Sequence, residues 1–203
     1  MRLRRCVHVC SFLLVMSTLW AEDADPGQAT PAFEFSAAQV ADGYIADFKR
    51  WAEQDRGTLP RRDAVLCVGS SSMRGWGDIK ADLAPLEIIH RGFGGSTMAN
   101  VLRFKDFFVR YEAAEILVYE GDNDLMNAKT TPDIFVAQCR EFCAVVWERR
   151  SDTKIFFITP KPSPSRWSKW PIFQEACSQL KAFCDEDARL TLVDVGPAML
   201  GAD

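Results

Sequence analysis

Ala64-Val65-Leu66-Cys67-Val68-Gly69-Ser70-Ser71-Ser72-Met73-Arg74-Gly75-Trp76 decides how the remaining residues are read. A run of small and β-branched apolar residues stops at a glycine, and three serines follow. A strand buried in a parallel sheet reads as a nearly continuous apolar run. Gly69 lets the chain turn sharply without a Cβ clash. The serines then fall at the start of the next element, where free backbone N–H groups collect. Taken alone, Gly69-Ser70-Ser71-Ser72 is a loop whose serines cap a helix. Its neighbours decide whether it is more.

Four further strands can be traced outward: Glu87–His90, Glu115–Tyr119, Lys154–Thr159 and Leu190–Val195. Between them lie helical patterns. Ser36 caps a helix expected to run to about Arg56, with Val40, Tyr44, Phe48 and Trp51 on one face. A short helix over Ile79–Leu86 is interrupted at Pro85. Another helix runs from Thr97 to Tyr111 and buries Val101, Phe104 and Phe108. Thr131-Pro132 opens the next, with Phe135, Cys139, Phe142 and Val146 at helical spacing. A last helix covers Trp170–Glu186, and no terminal helix is expected after strand five. Strands alternating with helices call for an α/β fold, a three-layer α/β/α arrangement around a mostly parallel five-stranded sheet of flavodoxin-like type. Ligands of such sheets sit beyond the carboxyl ends of the strands. The unusual loops all fall on that edge: the serines, Arg91-Gly92-Phe93-Gly94-Gly95-Ser96-Thr97, Glu120-Gly121-Asp122-Asn123-Asp124, and Pro160 to Trp167.

The chain has 203 residues and a net charge of −4, enough for one domain with a substantial core. No internal repeat or second domain is visible. Residues 1–21 resemble an export signal: basic Met1-Arg2-Leu3-Arg4-Arg5, apolar Cys6 to Trp20, and Ala21 for cleavage. The apolar run is short for a stable membrane span. Residues 22–35 read as a flexible leader, leaving 36–203 as the domain. Residues 1–21 hold three arginines and no acid, so without them the balance is 21 basic to 28 acidic, net −7. An acidic chain without a basic stripe argues against nucleic acid as a partner. Cys67, Cys139, Cys143, Cys177 and Cys184 are an odd set that describes no disulfide framework. Cys177 and Cys184 would lie about 10 Å apart on one helix, too far to bridge. One histidine beyond residue 21 and no paired-cysteine motif argue against zinc.

Two loop motifs fail their tests. Gly92 to Gly95 lacks the third glycine of a dinucleotide loop, since position 97 is Thr. An α/β-hydrolase elbow around Ser71 needs a glycine where Met73 stands. Asn123 alone would be a turn residue. In order, however, Gly69-Ser70-Ser71-Ser72, Gly94-Gly95-Ser96-Thr97 and Gly121-Asp122-Asn123-Asp124 closely resemble the blocks of the SGNH (GDSL-type) hydrolases. The resemblance runs from about residue 62 to the end and includes the Pro160–Trp167 loop. It implies that Ser71 is the nucleophile and that Gly95 N–H and the Asn123 amide, with Ser71 N–H, hold the oxyanion. Acyl transfer needs those parts. Ser70 replaces the aspartate of the GDSL signature.

The fourth block, Asp-x-x-His, occurs nowhere in the sequence. His90 matches no family role. The resemblance therefore implies an exported (periplasmic or extracellular) serine esterase, acetyl esterase or lipase-like, truncated before its base. As it stands the chain is expected to be inactive, and marginally stable with its last sheet edge uncovered. No metal or organic cofactor is implied. The implied partner is a small-molecule, saccharide or lipid ester, with Arg166 and Trp167 as candidate substrate contacts. Two alternatives are a non-catalytic acyl- or acetyl-sugar-binding module and a flavodoxin-like structural domain.

Overall fold

The computed structural model describes residues 32–200. The expected export signal and all but the last residues of the expected leader lie outside them. Five strands form one parallel sheet: β1 (Val65–Gly69), β2 (Ile88–Gly92), β3 (Glu115–Tyr119), β4 (Lys154–Ile158) and β5 (Leu190–Val193). Their spatial order is β2-β1-β3-β4-β5. Connections leave β1 in opposite directions, so the topological switch point lies between β1 and β3, where open α/β sheets bind ligands. The register puts Gly69 beside both Gly92 and Tyr119, so the three loops that follow emerge together.

The helices are shorter than the sequence pattern suggests. The expected Ser36–Arg56 helix is two: α1 (Ala37–Val40) and α2 (Ile45–Gln54). Ser36 and Gln39 close a capping box on α1. Asp42 Oδ1 then accepts Tyr44 N–H at 3.0 Å, a local bond that competes with helix continuation. The break leaves Val40 48 % exposed, so it does not share the buried face of Phe48 and Trp51. After β1 come α3 (Ser71–Arg74) and α4 (Ile79–Asp82). The latter stops short of the expected Leu86, ahead of a cis Ala84–Pro85 bond.

The expected Thr97–Tyr111 helix is also divided, into α5 (Met98–Arg103) and α6 (Lys105–Val109). Between them Phe104 leaves helical backbone (φ −107°, ψ 20°) and stacks on Phe48 at 3.7 Å. α7 (Pro132–Arg149) starts as expected, with Thr131 Oγ1 accepting Ile134 N–H. A 3-10 turn (Pro164–Lys169) leads into α8 (Trp170–Cys184). A terminal turn, α9 (Gly196–Met199), follows β5 where no helix was expected. Asp194 Oδ1 accepts Gly196 N–H at 3.0 Å and starts that turn.

The two sheet faces are unequally covered. On one, Leu66, Val68, Ile116, Val118, Ile155 and Phe157 meet α2 and α5–α8 through a core rich in phenylalanine. Phe33 and Phe35, from the end of the expected leader, pack on Phe107 there, so this core draws on residues before Ser36. On the other face, Val65, Cys67, Ile88 and Tyr119 are covered by Met73 and Ile79 of α3 and α4, with Leu117 and Ile158 half-buried. Toward β5 this face is bare, with Val193 exposed. All five described cysteines are free. No described helix is long and apolar enough to cross a membrane.

Candidate active site

Ser71 is the first residue of α3, one residue past the turn that ends β1. That turn is tight because the neighbouring backbone is close. A Cβ on Gly69 would lie 2.4 Å from Tyr119 O, and one on Gly92 would lie 2.4 Å from Arg74 N. Real side chains do not fit in such spaces, so both positions require glycine. Phe93 N–H donates to Gly69 O (2.8 Å) and Ser70 N–H to Tyr119 O (3.0 Å), sewing the three loops together.

Gly95 lies in the left-handed region (φ +87°), as does Gly121 (φ +109°). A side chain on Gly121 would also run into Pro160, 2.4 Å away. Neither Ser71 N–H nor Gly95 N–H has a hydrogen-bond acceptor among the described residues. The Asn123 side chain is held from both ends: Nδ2 donates to Ser96 O at 2.8 Å, and Oδ1 accepts from Arg166 Nη2 at 3.2 Å. One Nδ2 hydrogen is thus used, and the other is left for an incoming acceptor. Ser71, Gly95 and Asn123 come together on one rim. Arg166 joins them, but through Asn123.

Trp167 stands farther out. It is 54 % exposed, stacks on Trp170 (centroids 6.0 Å apart, planes 9°), and borders an apolar cavity of about 470 Å³ with Pro162, Pro164, Met199 and Leu200. A smaller cavity of about 220 Å³ shares Met199 with it and reaches Ser72, Trp76 and Lys161. Apolar space therefore runs from the serine turn toward the tryptophans.

Beneath the rim lies a polar layer, built largely from residues of the same loops through contacts that the motifs do not show. Lys161 Nζ donates to Ser72 Oγ, to Tyr119 Oη (2.9 Å) and to Asp122 Oδ2 (3.0 Å). Tyr119 Oη donates to the same Asp122 oxygen at 2.9 Å. Hydrogen bonds and charge from Tyr119 and Asp122 outweigh the burial that would lower the Lys161 pKa, and raise it. Lys161 is therefore an ammonium ion, an anchor for its loop and not a base for Ser72. Ser96 Oγ donates to Glu120 Oε1 at 2.6 Å. Burial pushes Glu120 well above the usual carboxylate range. Asp124 accepts Met98 N–H (2.8 Å) and Gly121 N–H (3.0 Å), and burial pushes it up to about 6. Tyr44 Oη closes the far side, 3.5 Å from where a Gly95 Cβ would stand.

The base is what these residues do not provide. Ser71 Oγ has no hydrogen-bond partner among the described residues. His90 Nε2 is 2.7 Å from Met73 O, engaged with the backbone of α3. A carbonyl is an acceptor only, so Nε2 donates to α3 and is taken up by that bond. Among the described residues no three His, Cys, Asp or Glu side chains group as a metal site.

Solved structures place this architecture. A GDSL-like lipase from Bacteroides thetaiotaomicron superposes with a TM-score of 0.64 at 18 % identity, over 78 % of this chain and 82 % of that one. The fold is that of the GDSL-like hydrolases. A Bacteroides fragilis protein classed as an acylhydrolase gives 0.62 at 20 % identity, over 76 % and 79 %. An acetyl-xylooligosaccharide esterase from Geobacillus gives 0.52 at 12 % identity, over 68 % and 78 %. No protein-family model matches the sequence, and a search of curated proteins finds no relative. On this GDSL-type fold, the three sequence blocks occupy the ends of β1, β2 and β3. Lys161, Glu120 and Tyr44 escaped the sequence reading, because their partners lie 24 to 89 residues away or are backbone atoms.

Proposed function

We propose that this chain is the body of an exported serine ester hydrolase of SGNH type, lacking its own general base. The observation that carries this is the Ser71 rim: a serine and two backbone N–H groups without partners among the described residues, beside a clamped asparagine amide. In the proposed reaction, Ser71 Oγ attacks the ester carbonyl while its proton passes to a base. Ser71 N–H, Gly95 N–H and Asn123 Nδ2 hold the oxyanion. The alcohol leaves with a proton, and water then hydrolyses the acyl-serine. The base would come from an Asp-x-x-His segment, which these 203 residues do not contain. Without it, turnover should fall by on the order of a million-fold. Trp167 and the apolar space around Met199 are proposed to receive the acyl or alcohol part of a small ester. The basic and apolar pattern of residues 1–21 supports export.

p-Nitrophenyl acetate hydrolysis tests this in two proteins. The 203-residue chain should match its Ser71→Ala variant. A form extended at its C-terminus with Asp-x-x-His should turn over, and Asn123→Ala in that form should cost roughly 100- to 1000-fold. An extended form without Ser71-dependent hydrolysis would leave the second reading, a binding module for acylated sugars. The absence of any base at Ser71 Oγ among the described residues favours that alternative.

A further inference from the structure

Arg74 stands apart from every other described arginine. Each of the others forms an ion pair. Arg74 forms none among the described residues and donates no side-chain hydrogen bond to them. Its place is fixed all the same. It is the last residue of α3, three after Ser71, and its guanidinium lies along Gly94. A Cβ on Gly94 would stand 3.1 Å from Arg74 Nη1, so glycine there leaves the space that the guanidinium uses.

On the other side of the rim, Arg166 donates to Asn123 Oδ1, and its nearest carboxylate oxygen, Asp122 Oδ2, is 3.6 Å away. Lys161 holds that same oxygen at 3.0 Å, so Arg166 is only partly neutralised. Two guanidiniums therefore bracket the Gly94–Gly95–Ser96 turn and Asn123. Lys161 and Arg166 both face Asp122, while Arg74 faces no carboxylate among the described residues, on a chain whose net charge is −4. Asp124 is committed to two backbone N–H groups, and Asp122 lies beneath the rim. An under-neutralised arginine beside Gly94 and another on Asn123, on an acidic protein, are suited to a carboxylate, which accepts charge-assisted hydrogen bonds from guanidinium. Trp167, beside Arg166 on the same 3-10 turn, offers an exposed aromatic face of the kind a sugar ring covers.

We propose that Arg74 and Arg166 select the ligand of this site by negative charge, and that the ligand is an acylated sugar bearing a carboxylate, an acylated uronic acid. The chemistry rests on the ester-hydrolase reading, but recognition does not require turnover and is tested by binding alone.

The probes are methyl 3-O-acetyl-glucuronide and methyl 3-O-acetyl-glucoside, alike except for the carboxylate. Each is titrated into the full 203-residue chain at low salt, with binding followed by ligand-observed NMR. The uronide should bind about tenfold more tightly, the scale of one charge-assisted hydrogen bond. Arg74→Gln should remove most of that preference, Arg74→Lys should keep part of it, and the Arg74→Gln/Arg166→Gln pair should abolish it. Arg74 lies on the surface, and far-UV circular dichroism checks that each variant is folded. Ser71→Ala should leave the preference intact, so a failure of the hydrolase reading and a failure of this one are separable. Equal binding of both sugars, binding of neither, or a preference that survives in the double variant would overturn the proposal.

Discussion

Asp55 and Asp122 are both buried carboxylates facing two cations, yet they are completed differently. Asp55 Oδ1 accepts from Arg91 at 2.7 Å, and Oδ2 accepts from Tyr111 Oη at 2.6 Å and from Arg110. Arg91 Nε donates to the same tyrosine at 2.8 Å, and Arg110 lies 4.0 Å over the Phe107 ring. Among the buried atoms of this network only Arg110 Nε lacks a partner. It ties the end of α2 to β2 and α6 on the thick face of the sheet. Asp122 takes all its partners on Oδ2 and leaves Oδ1 buried and bare, as are Glu120 Oε2 and Ser70 Oγ nearby. A buried polar atom without a partner costs about 1–3 kcal/mol. Three of them under one rim mark where stability is given up for an arrangement of donors and acceptors. The Asp55 network holds the fold, and the Asp122 layer holds the site.

The largest effect should come from breaking the finished network. Asp55→Ala leaves two arginines facing one another in the core and should cost about 4 kcal/mol in urea unfolding. A loss below about 1 kcal/mol would mean the network is ornamental. Lys161→Met should cost less, about 2 kcal/mol, because Arg166 remains beside Asp122 and Lys161 is partly solvated. Any ligand bound beside Ser71 should also weaken, since Ser72 and the Pro160–Trp167 loop lose their common anchor. A variant equally stable but unable to bind would place Lys161 in the ligand's contacts rather than beneath them.

Glu120→Gln should have the smallest effect, and its sign is set by burial. A carboxyl whose folded pKa is raised binds a proton that the unfolded chain has released, so its contribution falls as pH climbs from the unfolded value near 4.5 through the raised folded value. Asp124 acts in the same direction between about 3.8 and about 6. The Glu120→Gln variant should match the parent at pH 4.5 and gain on it steadily toward pH 8. Parallel stability curves would show that Glu120 is ionised in the folded protein.

What was legible in the sequence was local. Apolar runs of four or five residues gave β1, β3 and β4, because a strand buried in a parallel sheet has few polar positions, and shorter apolar runs gave β2 and β5. The glycine turns at Gly69, Gly95 and Gly121 were legible because close backbone approach or left-handed φ leaves a compositional mark. Helix lengths were not: Asp42 and Phe104 end helices through a side-chain bond and an aromatic stack that periodicity does not encode. Ser71, Gly95 and Asn123 could be picked out from three blocks. The lysine that anchors the rim and Arg74, unpaired among the described residues, could not, since their meaning lies in what they touch, or fail to touch, across the fold. Arg166 was singled out as a substrate contact, and its observed partner is Asn123.

Site mapping by mass spectrometry tests the nucleophile most directly. The chain extended with Asp-x-x-His would be treated with a phosphonylating serine reagent, digested and sequenced. The label should sit on Ser71 alone, with no label in Ser71→Ala. Modification of Ser70 or Ser72, or labelling that persists in Ser71→Ala, would contradict the assignment of the nucleophile.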